Sequence, residues 1–192
     1  MKPVLLLVDL QQDYLATRGL QPAAEDLLAQ TAELIEGCRK RRIPVIHVWT
    51  TVHRDNDQRM LHWRRANIWR CVAGTIGHQA PARLQPQDGE TVIHKTGFNA
   101  FANPELDSTL RRLNCDTVII AGVHLHTCVR LAAMGCLERN LPATMAADAV
   151  ASDDPAFSAS TRRWLVERCV KFEPVSAILM RLDRDAEKPL PL

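Results

Sequence analysis

The sequence predicts a single α/β domain with a doubly wound, six-stranded parallel sheet and helices on both of its faces. Six apolar runs rich in β-branched residues recur along the chain, and most are separated by segments of helical periodicity. The runs at 4–8 and 117–121 are almost continuously hydrophobic, as expected of central strands that are covered on both faces. With 192 residues, 46% of them hydrophobic, the chain is long enough for one full core but short for two.

The elements follow one another in βαβ order. The predicted strands are 4–8, 43–49, 91–93, 117–121, 143–147 and 170–172. A first helix is predicted over 22–41, with Pro22 in an early position and a basic end where cations favour the helix dipole. Asn103 and Pro104 indicate the start of a short helix to about residue 113. Further helices are expected after Cys128 to about residue 140, and over 153–168.

Two segments fall outside this rhythm. Residues 50–89 lose clear periodicity and collect polar, aromatic and glycine residues, which is typical of a binding or lid segment. The folded domain is expected to span 1–182. The remaining tail, 183–192, with Pro189 and Pro191, is expected to be mobile or to contact another subunit.

Charge and cysteine usage exclude several classes of protein. The 24 Lys and Arg residues nearly balance the 22 Asp and Glu residues, without a basic stripe, so no nucleic-acid partner is expected. The six cysteines are far apart, which fits reduced thiols in the cytoplasm. The apolar start at 4–8 is too short for a signal segment or a membrane span, so no membrane partner is expected.

Three reactive side chains stand at the ends of predicted strands: Asp9, Lys95 and Cys128. Because the carboxyl ends of parallel strands share one edge of the sheet, these residues are expected to converge on one crevice. Cys128 would begin a helix, whose free N–H groups and dipole would lower the thiol pKa. The alternatives are a buried structural cysteine, a solvated lysine at a strand end and an aspartate that caps the following segment.

Three motifs around these residues make the sequence resemble the isochorismatase-like cysteine hydrolases. They are DLQQDY from Asp9, KTGFNAF from Lys95 and GVHLHTCV from Gly122. The resemblance implies the strand order 3-2-1-4-5-6, an Asp9–Lys95–Cys128 triad and no cofactor. It also implies a cis peptide between Val123 and His124, and an oxyanion hole made by the N–H groups of His124 and Cys128. A homodimer or homotetramer is expected on the same ground.

The substrate remains open at this point. Nicotinamidases of this family carry an Asp-x-His-x-x-His-like metal cluster after the second strand, but residues 48–53 lack it, so no metal is predicted there, and His47 is interpreted as a core histidine. Trp49, Phe98 and His124 are the candidate substrate contacts, with core packing as the alternative for the aromatic residues. Cys128 favours a small amide, ureide or carbamoyl substrate. A vinyl ether hydrolase that does not need the thiol, and a member without catalysis, are the alternatives.

Overall fold

The computed structural model describes residues 1–186 and contains one parallel sheet of six strands. They are β1 (Pro3–Val8), β2 (Val45–Thr50), β3 (Thr91–Lys95), β4 (Thr117–Val123), β5 (Ala143–Ala151) and β6 (Lys171–Glu173). Their order across the sheet is β3-β2-β1-β4-β5-β6, and every neighbouring pair is parallel. The predicted fold class and strand order are therefore confirmed.

Within residues 1–186, seven α-helices connect and cover the strands. They are α1 (Gln12–Leu15), α2 (Ala24–Lys40), α3 (Leu61–Arg65), α4 (Pro104–Arg112), α5 (Arg130–Leu137), α6 (Pro155–Val166) and α7 (Val175–Ala186). The side chain of Asn103 accepts a hydrogen bond from the Glu105 N–H at 3.0 Å and caps α4, as its sequence predicted. Asp154 caps α6 in the same way, with the Phe157 N–H donating at 2.8 Å.

The two faces of the sheet carry separate cores. Leu5 and Leu7 of β1 point toward α2 and α7, while Leu6 and Val8 belong to the core on the opposite face, together with α4 and α5. Because side chains alternate along a strand, a strand buried on both faces needs an uninterrupted apolar run. The structure thus confirms the prediction that β1 and β4 are central.

Helix α7 was not predicted, although its pattern carried the signal. Val175, Ile178 and Leu182 are buried and follow helical spacing. The helix continues past residue 182, where the tail was predicted to begin, and Asp183 pairs with Arg41 at the end of α2 at 2.7 Å. The rest of the predicted tail, 187–192, lies outside the described residues.

The segment between β2 and β3 has little regular structure, as expected. It contains α3 and single turns of 3-10 helix at Ile76–His78 and Ala82–Leu84, and a parallel bridge between Val52 and Val72 joins two parts of it. Across residues 1–186, no helix is both long and apolar enough to cross a bilayer.

Gly122 in β4 allows the close approach of two strands just below the reactive residues. Its φ is +139°, and a Cβ atom there would collide with the backbone carbonyl of Val8 in β1. We expect Gly122→Ala to lower the free energy of unfolding by about 2–4 kcal/mol. The clash of the added Cβ atom with Val8 and the strain of a positive φ at alanine both destabilise the folded state. Urea unfolding measures the loss. Gly97→Ala is the matched control, since a Cβ atom at Gly97 meets nothing within 4 Å; an equal loss in both variants would contradict the explanation.

Candidate active site

Asp9, Lys95 and Cys128 meet at the carboxyl edge of the sheet. Asp9 directly follows β1, Lys95 ends β3, and Cys128 lies in the turn after β4. The strand order places β4 beside β1 and separates β3 from β1 by β2 alone. The long side chain of Lys95 crosses that gap, so three residues that are far apart in sequence share one buried site.

The ammonium group of Lys95 is the centre of the site. Its Nζ lies 2.8 Å from Asp9 Oδ2, 2.9 Å from the carbonyl oxygen of Gly97 and 3.5 Å from Cys128 Sγ. The side chains of Lys95 and Asp9 are only 1% and 0% exposed. Burial lowers the pKa of Lys95, but its interactions with Asp9 and Cys128 raise it by more, so the net pKa is raised. Lys95 is therefore a cation that is bonded to both of its reactive neighbours.

Thr50, the last residue of β2, completes the hydrogen bonding of this pair. Its hydroxyl donates to Asp9 Oδ1 at 2.9 Å and its N–H donates to the same oxygen at 3.0 Å. The hydroxyl also accepts from Lys95 Nζ at 2.8 Å and from the Tyr14 hydroxyl at 3.2 Å. Sequence reasoning missed Thr50. The rule that selected Asp9 and Lys95, a polar residue at the end of a neighbouring strand, also applies to it.

Gln11 and Asp13 hold the long segment over the site. Gln11 Nε2 donates to the carbonyl oxygens of Thr50 and His78, both at 2.8 Å, and Gln11 Oε1 accepts from the Thr50 N–H at 2.8 Å. Asp13 Oδ2 accepts from the Cys71 N–H at 2.6 Å. Residues of the motif that follows β1 therefore fix the loops around the triad, while Asp9 faces Lys95 and does not act as a cap for this segment.

The turn that contains Cys128 begins with the cis peptide between Val123 and His124, where the resemblance implies it. Residues Leu125–Val129 form one turn of π-helix before α5. The carbonyl oxygen of His124 accepts hydrogen bonds from the N–H groups of Thr127 at 3.0 Å and Val129 at 3.3 Å, the residues on either side of Cys128. This turn fixes the backbone of Cys128, whose residue surface is only 3% exposed.

The thiol of Cys128 is less acidic than its position in sequence predicted. Burial and the nearby Asp9 carboxylate raise its pKa to about 12, although the Lys95 ammonium acts in the opposite direction. The prediction that the helix start would lower the pKa was wrong, because desolvation of the thiolate outweighs the free N–H groups. The resting residue is therefore a thiol.

This protonation state predicts how Cys128 reacts with a small alkylating reagent. Between pH 7 and 9, the labelling rate should rise about tenfold per pH unit without a plateau, since the thiolate fraction follows pH far below the pKa. Asp9→Asn should label faster at each pH because it removes a charge that raises the pKa. Mass spectrometry of the Cys128 peptide gives both rates, with the exposed Asp88→Asn as control. Slower labelling in Asp9→Asn would refute the assignment of Cys128 as a neutral thiol whose pKa is raised by Asp9.

Trp49 does not lie beside the triad. It precedes Thr50 on β2 and therefore points to the other face of the sheet, where it packs against the α2 side of the core. Its ring contacts those of His78 and His94, with centroids 5.3 and 6.3 Å away. The alternation of side chains along the strand therefore places Trp49 in a different cluster from Asp9, Lys95 and Cys128, and its contact with the substrate stays a prediction.

Phe98 and His124 do belong to a group of aromatic rings around the site. Tyr14, whose hydroxyl contacts Thr50, lies 5.9 Å from His124 and 6.5 Å from Trp63 between ring centroids. Phe98 follows Lys95, is 38% exposed and stacks on His62 at 5.7 Å. Trp69 lies apart from these rings. The guanidinium carbon of Arg59 lies over it, 3.5 Å from the centroid of the Trp69 ring. We call Tyr14, Trp63, His62, Phe98 and His124 the aromatic rim.

The match to known proteins agrees with this geometry. A family model described as the isochorismatase domain matches residues 3–170, which include all three members of the triad. The chain belongs to the isochorismatase family. It is thus a member of the isochorismatase superfamily of hydrolases, and the resemblance drawn from the three motifs is confirmed.

Solved structures of the family have the same fold. An isochorismatase family protein from Desulfovibrio vulgaris superposes on this isochorismatase-family chain with a TM-score of 0.84 and 26% identity, covering 95% of this chain and 99% of the other. An N-carbamoylsarcosine amidase from Thermoplasma acidophilum gives a TM-score of 0.76 and 27% identity, covering 91% and 97%.

A curated relative matches over a shorter part of its own length. Enterobactin synthase component B from Escherichia coli K12 is 26% identical over 153 residues, which are 78% of this isochorismatase-family chain and 53% of the relative. The chain therefore spans about half the length of that curated relative.

The Thr51 side chain, directly after β2, lies among histidine side chains. The Thr51 hydroxyl lies between His78 Nε2 at 2.9 Å and His94 Nδ1 at 2.7 Å. Within residues 1–186, no group of three or more His, Cys, Asp or Glu side chains is arranged to hold a metal ion. His47 pairs with Glu90 at 2.9 Å, which also binds Arg39, so it is a core histidine, as interpreted.

Proposed function

We propose that this protein is a cysteine-dependent hydrolase of a small amide, ureide or carbamoyl compound, which it cleaves at the C–N bond through an acyl-enzyme. The observation that carries the proposal is the Lys95 ammonium group, which contacts Asp9 at 2.8 Å and Cys128 at 3.5 Å in one buried site. An acid, a cation and a thiol in mutual contact are the groups that covalent acyl transfer requires. Their contact also argues against a member without catalysis.

The first half of the reaction transfers the acyl group to sulfur. Asp9 takes the Cys128 proton as the sulfur attacks the carbonyl carbon, because a free thiolate is disfavoured in the resting site. Lys95 offsets the negative charge of the site throughout this step. Asp9 then returns the proton to the leaving nitrogen, the C–N bond breaks, and ammonia or an amine departs. A thioester to Cys128 remains.

The second half restores the enzyme. Asp9, again a carboxylate, removes a proton from a water molecule that attacks the thioester carbonyl carbon. The C–S bond breaks, and the sulfur takes the proton back to form the thiol. The products are a carboxylic or carbamic acid and the free enzyme. Each step balances without a cofactor.

We assign the oxyanion hole to the N–H groups of His124 and Cys128, as the family resemblance implies. Two other N–H groups of the turn, those of Thr127 and Val129, already donate to the His124 carbonyl oxygen. Donors held by such a turn are oriented before the substrate binds, which is the condition for stabilising a tetrahedral oxyanion.

A vinyl ether hydrolase is the second candidate, and the protonated state of Cys128 favours it. With its pKa raised to about 12, the thiol is not ionised at neutral pH, so Asp9 could act as the main acid without a sulfur nucleophile. The similarity to an N-carbamoylsarcosine amidase over most of both chains supports the first candidate instead.

The test is a screen of small amides, ureides and carbamoyl compounds for ammonia release, followed by rapid acid quenching and mass spectrometry. The proposal expects an acyl mass on the peptide that contains Cys128, and no such mass on the peptide that contains Cys136, a buried cysteine of the same core. Ammonia release without an adduct on Cys128, under conditions that accumulate intermediates, would favour chemistry led by Asp9. Cleavage of vinyl ethers alone would reject the C–N hydrolase.

A further inference from the structure

The hydroxyl group of Thr50 has three hydrogen-bond partners and only one hydrogen. Its oxygen lies 2.9 Å from Asp9 Oδ1, 2.8 Å from Lys95 Nζ and 3.2 Å from the hydroxyl oxygen of Tyr14. A lysine ammonium group only donates, and an ionised carboxylate only accepts. Burial and the nearby Asp9 carboxylate raise the pKa of Tyr14, so its phenol keeps a hydrogen to donate. The single hydrogen of the Thr50 hydroxyl therefore points to Asp9.

The backbone of Thr50 is held by the side chain of Gln11. Gln11 Nε2 donates to the Thr50 carbonyl oxygen, and Gln11 Oε1 accepts from the Thr50 N–H, both at 2.8 Å. The same N–H also lies 3.0 Å from Asp9 Oδ1. Thr50, Gln11 and Asp9 are each 0% exposed, so these bonds form away from water, where they are stronger. The Thr50 hydroxyl is thus oriented before any substrate binds.

These contacts make the two oxygens of the Asp9 carboxylate unequal. Oδ1 receives the hydroxyl and the N–H of Thr50, which fill the two lone pairs of a carboxylate oxygen. Among the side chains of residues 1–186, Oδ2 receives the Lys95 ammonium group at 2.8 Å and keeps a second lone pair. That ammonium group lies 3.5 Å from Cys128 Sγ, and a hydrogen bond with Asp9 is among the causes that raise the pKa of Cys128. Oδ2 is therefore the oxygen with room for the thiol proton.

We propose that Thr50 is a positioning residue that reserves Oδ1 of Asp9 as an acceptor and so directs each proton transfer of the reaction to Oδ2. This inference rests on the proposed role of Asp9 as the proton carrier. The Cys128 proton passes from Sγ to Oδ2, and from Oδ2 to the leaving nitrogen as the C–N bond breaks. A proton of the attacking water then passes to Oδ2, and on to the sulfur as the C–S bond breaks. Oδ2 gains one proton and gives one proton in each half of the reaction.

Thr50 also holds Lys95 while Asp9 is protonated. Once Oδ2 carries a proton, the carboxyl group is neutral and attracts the Lys95 ammonium group less strongly. The Thr50 hydroxyl oxygen at 2.8 Å and the Gly97 carbonyl oxygen at 2.9 Å still accept from Nζ. The cation therefore stays beside the sulfur through the steps in which Asp9 is uncharged.

The test compares Thr50→Val, which removes the hydroxyl group, with Thr50→Ser, which keeps it. Thr50→Val should lower kcat by about tenfold to a hundredfold and change KM by less than about threefold, since the proton is transferred during the reaction and not during binding. The acidic limb of the pH profile of kcat should move to higher pH, because a carboxylate that loses a donor takes up a proton more readily. Thr50→Ser should recover most of kcat and the native pH profile.

Thr31→Val is the matched control for the loss of a buried threonine hydroxyl. Thr31 is fully buried, and its hydroxyl donates to the Leu27 carbonyl oxygen at 2.7 Å within α2. This variant should keep the native kcat and pH profile, whatever stability it loses in thermal unfolding. If Thr50→Val does not fold, Thr50→Ala removes the same hydroxyl group without a second methyl group and takes its place.

The outcomes separate this inference from the proposed function. The rates are measured on whichever class, C–N compounds or vinyl ethers, the native enzyme cleaves. Cleavage of vinyl ethers alone, with a loss in Thr50→Val and recovery in Thr50→Ser, would overturn the C–N hydrolase and support the role of Thr50, since Asp9 carries the proton in both reactions. C–N cleavage with kcat within twofold of native in Thr50→Val, an unmoved acidic limb, or an equal loss in Thr50→Ser would overturn the role of Thr50 alone. Cleavage of neither class would overturn both.

Discussion

Cys128→Ala is expected to lower the rate of amide hydrolysis by about 10⁴-fold or more, because removal of a nucleophile leaves only binding and the oxyanion donors to act. The variant should fold normally. Alanine removes one buried sulfur atom, and the ion pair between Lys95 and Asp9 persists without it. Substrate affinity should change far less than kcat, since the sulfur forms its bond only during the reaction.

The measurement is ammonia release under single-turnover conditions, with thermal unfolding as the check on folding. Cys136→Ala is the matched control, because Cys136 is equally buried on the same face of the sheet but belongs to α5. It should retain native activity. Turnover by Cys128→Ala within tenfold of the native rate would remove the nucleophile from the mechanism and leave Asp9 as the main acid.

Lys95→Met is expected to cost both stability and activity. The methionine leaves the Asp9 carboxylate in a fully buried site without its cation, and breaking a buried pair in this way costs about 3–5 kcal/mol. Activity should fall at least about a hundredfold, because the charge that supports proton transfer from Cys128 is lost. Burial alone would lower the pKa of Lys95, but Asp9 raises it above the ordinary lysine value. The stability that this pair contributes is therefore present at neutral pH and is lost only when the pH rises above the ordinary lysine pKa.

A second substitution distinguishes the two effects. Asp9→Asn combined with Lys95→Met replaces the ion pair by neutral groups and should recover most of the lost stability, but no activity. Urea unfolding and ammonia release are measured on the single and double variants, with Lys171→Met, at an exposed lysine of β6, as the control. A double variant as unstable as Lys95→Met would show that the loss comes from packing and not from an unpaired charge.

The sheet and the triad were predictable because each depends on a local pattern. Residues that end neighbouring parallel strands must meet at one edge, so Asp9 and Lys95 could be selected from two strand ends. Thr50 meets the same condition and was overlooked because a threonine at a strand end is common. Helix α7 also had a clear pattern, since Val175, Ile178 and Leu182 follow helical spacing.

Other features depended on packing that a sequence does not reveal. Trp49 and Thr50 are adjacent in β2 and face opposite sides of the sheet, so the exact residue at which a strand ends decides which of them reaches the site. The pairing of His124 with Asp153 joins the turn after β4 to the segment after β5. Neither the side of the sheet that each residue faces nor this pairing can be read from the spacing of residues in the sequence.

The sequence by itself determined the fold class, the family and the three residues, Asp9, Lys95 and Cys128, that meet at the edge of the sheet, because strand periodicity and side-chain identity can be read from short segments. Only the tertiary structure decided that the Cys128 thiol is protonated, that Thr50 hydrogen-bonds both Asp9 and Lys95, and that the His124 ring lies against Asp153. These properties arise from burial and from charges brought within a few ångströms by elements distant in sequence, and desolvation in particular depends on everything packed around a group.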